Sequence, residues 1–325
     1  MTTKTRCSIC PKGCELAAGE TGDCRVRQNI AGEIRCTTYG YPCSLNIDPV
    51  EKKPLYHFLP GSPILSIATA GCNLHCAQCQ NWQLSQSAHF ASANGKMLPH
   101  DVAQMAGERK CPAIAYTYTE PLVSYEYTHD CCKTAAEAGI KNVLVTAAYI
   151  NPKPLREICR FVDAANVDLK SFSDDFYRTI CDARLAPVLK ALTIMKECGV
   201  MLEITNLIIP TLNDSEDETK QLCGWVAENL GPGTPLHLSR FFPQNELKHL
   251  PPTPPGTLLR AREIAIQAGL WFVYIGNLQS GEGENTHCPN CGKLLIERTG
   301  YHVHKNRLAN GQCPACQTPV SGIWE

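Results

Sequence analysis

Between residues 63 and 276 the chain alternates short runs rich in β-branched and aromatic residues with longer stretches whose apolar positions recur at helical spacing. The short runs predict strands over 64–69, 113–118, 142–147, 166–170, 201–208, 236–240 and 271–275. The longer ones predict helices near 100–109, 121–138, 153–162, 184–198, 215–229 and 257–268. Asp214-Ser215 ahead of Glu216, Asp217 and Glu218 reads as a capped, acid-rich helix start, and Gly139, Gly199 and Gly269 follow helices as C-caps do. Strand, helix and strand in repetition imply a parallel sheet with right-handed crossovers. The fold class is therefore α/β, a partial or complete (β/α) barrel, with ligands expected at the C-terminal ends of its strands.

Outside this core the pattern fades and cysteine takes over. Residues 1–62 form a Cys-rich N-terminal segment, 63–280 the barrel core and 281–325 a small C-terminal module. Both ends are too poor in apolar runs to fold by burial alone and read as metal-stapled. At 325 residues and 44% hydrophobic, the whole can bury a large core. A net charge of -1 and a pI near 6.8 give no support for nucleic-acid binding and no pull toward an anionic membrane. There is no secretory h-region and no apolar run of about 18 residues, so a cytoplasmic protein is expected. Paired Cys-x2-Cys spacings in a chain without an export signal favour metal ligation over disulfides among the 20 cysteines.

The sharpest chemistry follows the first predicted strand, in Gly71-Cys72-Asn73-Leu74-His75-Cys76-Ala77-Gln78-Cys79. Three thiolates spaced x3 and x2 on one loop can each bind a different iron of a 4Fe-4S cluster and leave the fourth iron without a protein ligand. Three structural thiols, or a zinc site completed by His75, are the alternatives. Cys288, Cys291, Cys313 and Cys316 form two Cys-x2-Cys knuckles 21 residues apart, the pattern of a zinc ribbon, with an auxiliary cluster as its rival. Cys7, Cys10, Cys14 and Cys24 supply another four thiols at less diagnostic spacing, for which zinc, a cluster or free thiols stay open. Cys36 and Cys43 have no evident partner. Cys111, Cys131, Cys132, Cys159, Cys181, Cys198 and Cys223 are read as small packing residues.

The triad loop resembles that of the radical S-adenosylmethionine (SAM) family, in which the amino and carboxylate groups of SAM occupy the open iron. That resemblance implies a barrel of radical SAM type. It also implies that Glu120, in Tyr116-Thr117-Tyr118-Thr119-Glu120-Pro121, accepts hydrogen bonds from the SAM ammonium. Asp168-Leu169-Lys170 and Thr146 resemble the corresponding segments of glycyl-radical (pyruvate formate-lyase type) activating enzymes. There they imply contacts to the SAM carboxylate, or to a cation bridging to it. The chain departs from those enzymes in lacking an aspartate just before Thr146. A simple Asp168–Lys170 salt bridge is the plainer reading. The segments 203–214, 237–243, 274–277, 51–61 and 79–82 are similar to the radical SAM protein of the AmmeMemoRadiSam system along nearly the full chain. Gln78 stands where an aromatic is usual before the last cysteine, so Trp82 or Tyr118 is the candidate for stacking on adenine. Asn206, His237 and Arg240 are strand-borne candidates for the cavity, with Asn206 taken as a SAM contact.

The resemblance implies reductive cleavage of SAM to a 5'-deoxyadenosyl radical, a low-potential electron donor (flavodoxin or ferredoxin), and a substrate that includes a protein glycine among its candidates. Two other classes are consistent with the residues alone. A multi-metal electron-transfer protein would be reduced reversibly without cleaving SAM. A zinc-ribbon or nucleic-acid-binding module would use Lys293, Arg298, Lys305 and Arg307.

Overall fold

A computed structural model of the chain describes residues 4–87, 95–278 and 283–325. Its main sheet starts with β1 (Ser44–Pro49) and continues through β2 (Pro63–Ala68), β3 (Ala113–Tyr116), β4 (Lys141–Thr146), β5 (Ala164–Asp168), β6 (Met201–Ile208), β7 (Leu236–Arg240) and β8 (Val273–Gly276). The strands lie side by side in that order. From β2 onward every pair is parallel, while β1 runs antiparallel to β2 with Leu45 opposite Ile67. Helices α1 (Pro99–Glu108), α2 (Tyr125–Glu137), α3 (Pro152–Ile158), α4 (Asp174–Ile180), α5 (Leu185–Glu197), α6 (Glu216–Asn229) and α7 (Pro255–Gln267) make the crossovers. Strands covered on both faces need no polar face, which is why Ala113-Ile114-Ala115-Tyr116 is buried throughout.

Most of the expected elements are present within a residue or two. The stretch 121–138 begins as a 3-10 turn, Pro121–Ser124, before α2, and the helix expected over 153–162 stops at Ile158. The last strand starts at Val273, since Trp271 turns out to solvent. Two of the main-sheet strands and crossover helices were not expected. One is α4, started by Ser173, whose hydroxyl accepts from the Phe176 amide. The other is β1, which lies within the Cys-rich stretch 1–62 yet belongs to the main sheet. The boundary expected between 280 and 281 lies outside the described residues.

The sheet is open: among the described residues β1 and β8 are not hydrogen-bonded to each other. The gap is filled by residues 50–60 and by the C-terminal module, a three-stranded sheet of Thr286–His287, Leu294–Thr299 and His302–Asn306. The chain end bonds to this filling segment, with the Leu59 amide donating to Ile323 (2.7 Å) and the Ile323 amide to His57 (2.8 Å). Val50, Leu55 and Phe58 plug the N-terminal end of the barrel against Ile64, Ala113, Val143 and Ala164.

Above that plug lies a polar floor. Buried Glu203 accepts hydrogen bonds from the amides of Tyr56 (2.8 Å) and His57 (2.7 Å) and pairs with His237 Nε2 at 2.6 Å. His57 Nδ1 lies 2.8 Å from the Ser321 carbonyl, which can only accept, so Nδ1 carries the proton and Nε2 accepts from Tyr274 (2.7 Å). Burial lowers the His57 pKa to about 4. The unfolded chain takes up this proton near pH 6.5 and the folded one only near 4, so the stability His57 contributes is full above 6.5 and is lost as pH falls toward 4. The loss should reach ~3 kcal/mol, at 1.36 kcal/mol for each pH unit between the two values. In thermal melts, wild type should lose stability more steeply than His57→Gln across that window; parallel curves would refute the assignment.

Candidate active site

The C-terminal ends of the parallel strands open onto a cavity of about 840 Å³, within the size range of small-molecule sites. The loop after β2 brings Cys72, Cys76 and Cys79 to its wall. Gly71 makes the turn possible: it sits at φ +96°, and a Cβ there would lie 2.6 Å from Val26 and 2.7 Å from the Cys24 carbonyl. The loop leans on the turn after α4, with the His75 and Ala77 amides donating to the carbonyls of Cys181 (3.0 Å) and Ile180 (2.9 Å). Burial pushes the Cys72 thiol well up, and nearby Glu120 adds to the effect. An unligated thiol here keeps its proton, and a metal must displace it.

The spacing of the thiols separates the metals. Cys288, Cys291, Cys313 and Cys316 converge so that all four sulfurs lie within 4.8 Å of one another, as four ligands of one tetrahedral ion do. Cys72, Cys76 and Cys79 make no such group among the described residues. Nor does His75 join them, because its ring nitrogens lie 2.6 Å from Gln86 Oε1 and 3.0 Å from Asp23. The wider arrangement fits thiolates that each bind a different iron. Asp23, His75 and Asp182 do converge, but Lys12 sits among them at 2.9 and 2.6 Å from the two carboxylates and balances their charge.

Glu120 caps the Pro121–Ser124 turn and is almost wholly buried. Its Oε1 accepts from the Leu122 amide (3.1 Å) and the Thr146 hydroxyl (2.7 Å), and its Oε2 from the Ala147 amide (2.9 Å). Burial nevertheless raises its pKa, which a cationic group would reverse. The strand end at Thr146 thus serves to hold Glu120. Lys170 lies 3.0 Å from Asp168. Burial works against its charge, but the Asp168 carboxylate 3.0 Å away keeps its pKa above the usual value. Cavity, cysteines, Glu120, Thr146, Asp168 and Lys170 are therefore brought together.

Other candidates are placed elsewhere. Asn206 points away from the cavity, its amide bonded to the Leu169 carbonyl (2.8 Å), because β6 turns Thr205 and Leu207 inward instead. Arg240 donates to the Thr253 carbonyl (2.8 Å) and lies over Phe242. Trp82 is exposed and does not line the cavity. Tyr118 does, with Lys53 4.6 Å from its ring centroid and its hydroxyl bonded to Asp48. His237 and Gln78 also line it. Cys181, read from sequence as a packing residue, neighbours the Cys76 thiol and receives the Gln78 amide at 3.9 Å. Nothing in a lone cysteine 105 positions away marks that contact.

Residues 66–223 match the family model of the radical SAM superfamily. The chain is 47% identical, over 91% of its length and 88% of the relative's, to an uncharacterised protein of Methanocaldococcus jannaschii. It is 26% identical to the pyruvate formate-lyase-activating enzyme of Clostridium pasteurianum over 48% of this chain and 66% of that one. Among solved structures it is similar to a radical SAM methyltransferase from Sphaerobacter thermophilus (15% identity, 90% of this chain and 82% of that one, TM-score 0.55). It is also similar to Streptococcus suis SuiB bound to S-adenosylmethionine (14% identity, 70% and 53%, TM-score 0.53). At such identities the last two speak for the fold alone. No helix among the described residues is long and apolar enough to cross a membrane.

Proposed function

Because residues 66–223 carry a radical SAM domain, we propose that the chain is a radical SAM enzyme in which Cys72, Cys76 and Cys79 hold a 4Fe-4S cluster and Glu120 and Lys170 hold the cosubstrate. The observation that carries this is the thiol triad opening onto the same cavity as a buried carboxylate, Glu120, and a partly buried ammonium, Lys170. When bound, the reduced cluster supplies the electron that splits SAM into methionine and a 5'-deoxyadenosyl radical able to take a hydrogen atom from substrate. The residues of the chain position and shield. Glu120, fixed by Thr146 and the Ala147 amide, presents its less occupied Oε2 to the SAM ammonium. Lys170, steadied by Asp168, faces the carboxylate. Lys53 and Tyr118 wall the far side and keep bulk water out.

The finer reading follows the relatives. Likeness to an activating enzyme supports a protein glycine as the substrate, and the resemblance to the AmmeMemoRadiSam protein is of the same standing. We assign a flavodoxin- or ferredoxin-type donor, a zinc ion at the four C-terminal thiols, and a cytoplasmic location where thiols stay reduced.

Anaerobically reconstituted protein given dithionite and SAM should form 5'-deoxyadenosine and methionine in equal amounts, and its reduced-cluster paramagnetic resonance signal should shift on adding SAM. A loaded cluster that ignores SAM overturns the proposal. Lys170→Met should raise the KM for SAM by roughly 10- to 100-fold, the worth of one charge-assisted hydrogen bond, with iron content unchanged.

A further inference from the structure

The N-terminal cysteines also gather at one place. Cys7, Cys10, Cys14 and Cys24 line a single cavity together with Arg27 and Asn73. The same chain offers its own standard for zinc, since the C-terminal thiols approach as closely as 3.5 and 3.6 Å and converge within 4.8 Å. No three of the N-terminal thiols do so among the described residues. Four cysteines around one space, not converging as the C-terminal four do, fit the donor set of a cubane, in which each thiolate takes its own iron. Arg27 gives a second, independent indication. It is only 5% exposed. Its terminal nitrogens are engaged by Glu126 (both at 2.8 Å) and the Val123 carbonyl (3.3 Å). Its buried Nε has no geometric hydrogen-bond partner among the described residues, and the nearest group of opposite character to the guanidinium beyond Glu126 is the Cys7 thiol, which lines the same cavity. A neutral thiol is a weak acceptor for a buried cation, whereas a metal-bound Cys7 thiolate would satisfy it.

We propose that Cys7, Cys10, Cys14 and Cys24 hold a second 4Fe-4S cluster, which relays electrons to the cluster of the triad loop. The two sites touch. Asn73, neighbour of Cys72, lines the N-terminal cavity, and the Cys24 carbonyl packs against Gly71. Cys14 is partly exposed, so the site reaches the surface. One electron enters from a reduced low-potential carrier and the same electron leaves to the triad cluster, so the relay ends each cycle unchanged. The relay role rests on the radical SAM reading above; the metal assignment does not.

The test uses the full chain, reconstituted anaerobically with iron and sulfide. Wild type should hold about eight irons and about one zinc per chain. The triple variant Cys72→Ala, Cys76→Ala, Cys79→Ala should keep about four irons, with a resonance signal indifferent to SAM. Cys10→Ala with Cys24→Ala should lose the complementary set, keep the SAM-responsive signal, and form 5'-deoxyadenosine at least ~10-fold more slowly with reduced flavodoxin. Wild type with about four irons and about two zincs, or a triple variant free of iron, overturns the proposal. Should the N-terminal variant not fold, wild-type stoichiometry and the triple variant decide alone. A wild type with about eight irons whose signal ignores SAM sinks the enzyme reading but leaves the second cluster standing.

Discussion

Cys76→Ala should yield no 5'-deoxyadenosine above background and lose the SAM-responsive resonance signal, whereas Cys181→Ala should keep both within a few-fold. The two thiols are neighbours, which makes the contrast informative. If Cys181 were a fourth ligand, the cluster would be closed and could not receive the amino and carboxylate groups of SAM. Its position instead is that of a support, on the turn whose carbonyls hold the His75 and Ala77 amides. Quantifying product by chromatography beside iron content separates loss of the cluster from loss of the reaction. A Cys181→Ala protein that loses its iron as Cys76→Ala does, or that gains a response to SAM which wild type lacks, would contradict the three-ligand assignment.

Arg298→Ala should cost ~3–5 kcal/mol of stability, the usual consequence of removing one member of a fully buried ion pair. Arg298 and Glu51 are both inaccessible to solvent, 3.6 Å apart. Arg298 also donates to the Thr286 hydroxyl (2.8 Å) and the Tyr56 carbonyl (2.7 Å) and lies over the Tyr56 ring. Truncation strands Glu51, whose Oε2 already lacks a partner and whose pKa burial raises. Urea unfolding of zinc-loaded protein measures the loss. Replacing Glu51 and Arg298 together with Leu and Met should cost less than Arg298→Ala, because no buried charge is then left alone. A single-variant cost below ~1 kcal/mol would mean the pair is a surface-like contact.

The parallel sheet was legible because strands buried on both faces write themselves as apolar or β-branched runs, unbroken in Ala113–Tyr116. Strand β1 was not, since Ile47 on it is half exposed and Ser44-Leu45-Asn46-Ile47 sits among cysteines that suggest a separate segment. Helix α4 is only seven residues long, although Ser173 followed by Asp174 and Asp175 is a fair N-terminal mark. In the site, Cys72, Cys76 and Cys79 were readable because their ligand spacing is local. Asn206 misled because a buried polar residue on a strand has two faces to choose from, and its neighbours Thr205 and Leu207 took the inner one. The floor was out of reach altogether: Glu203 meets Tyr56 and His57 about 147 positions away, and Arg298 meets Tyr56 at a separation of 242. Only the fold makes those pairs. Arg298 itself, counted from sequence as part of a mildly basic face, is a core residue.

The turn at Gly300 and Tyr301 borders the main cavity, although it belongs to the C-terminal module. The tail is thus a piece of the vessel in which the chemistry runs, and not an accessory hung on its outside. If Cys288, Cys291, Cys313 and Cys316 hold the zinc proposed for them, a chelator that strips it would loosen that vessel far from the triad loop, letting solvent in. Any descendant that discarded its last forty or so residues would have to seal the open seam between β1 and β8 by some other means.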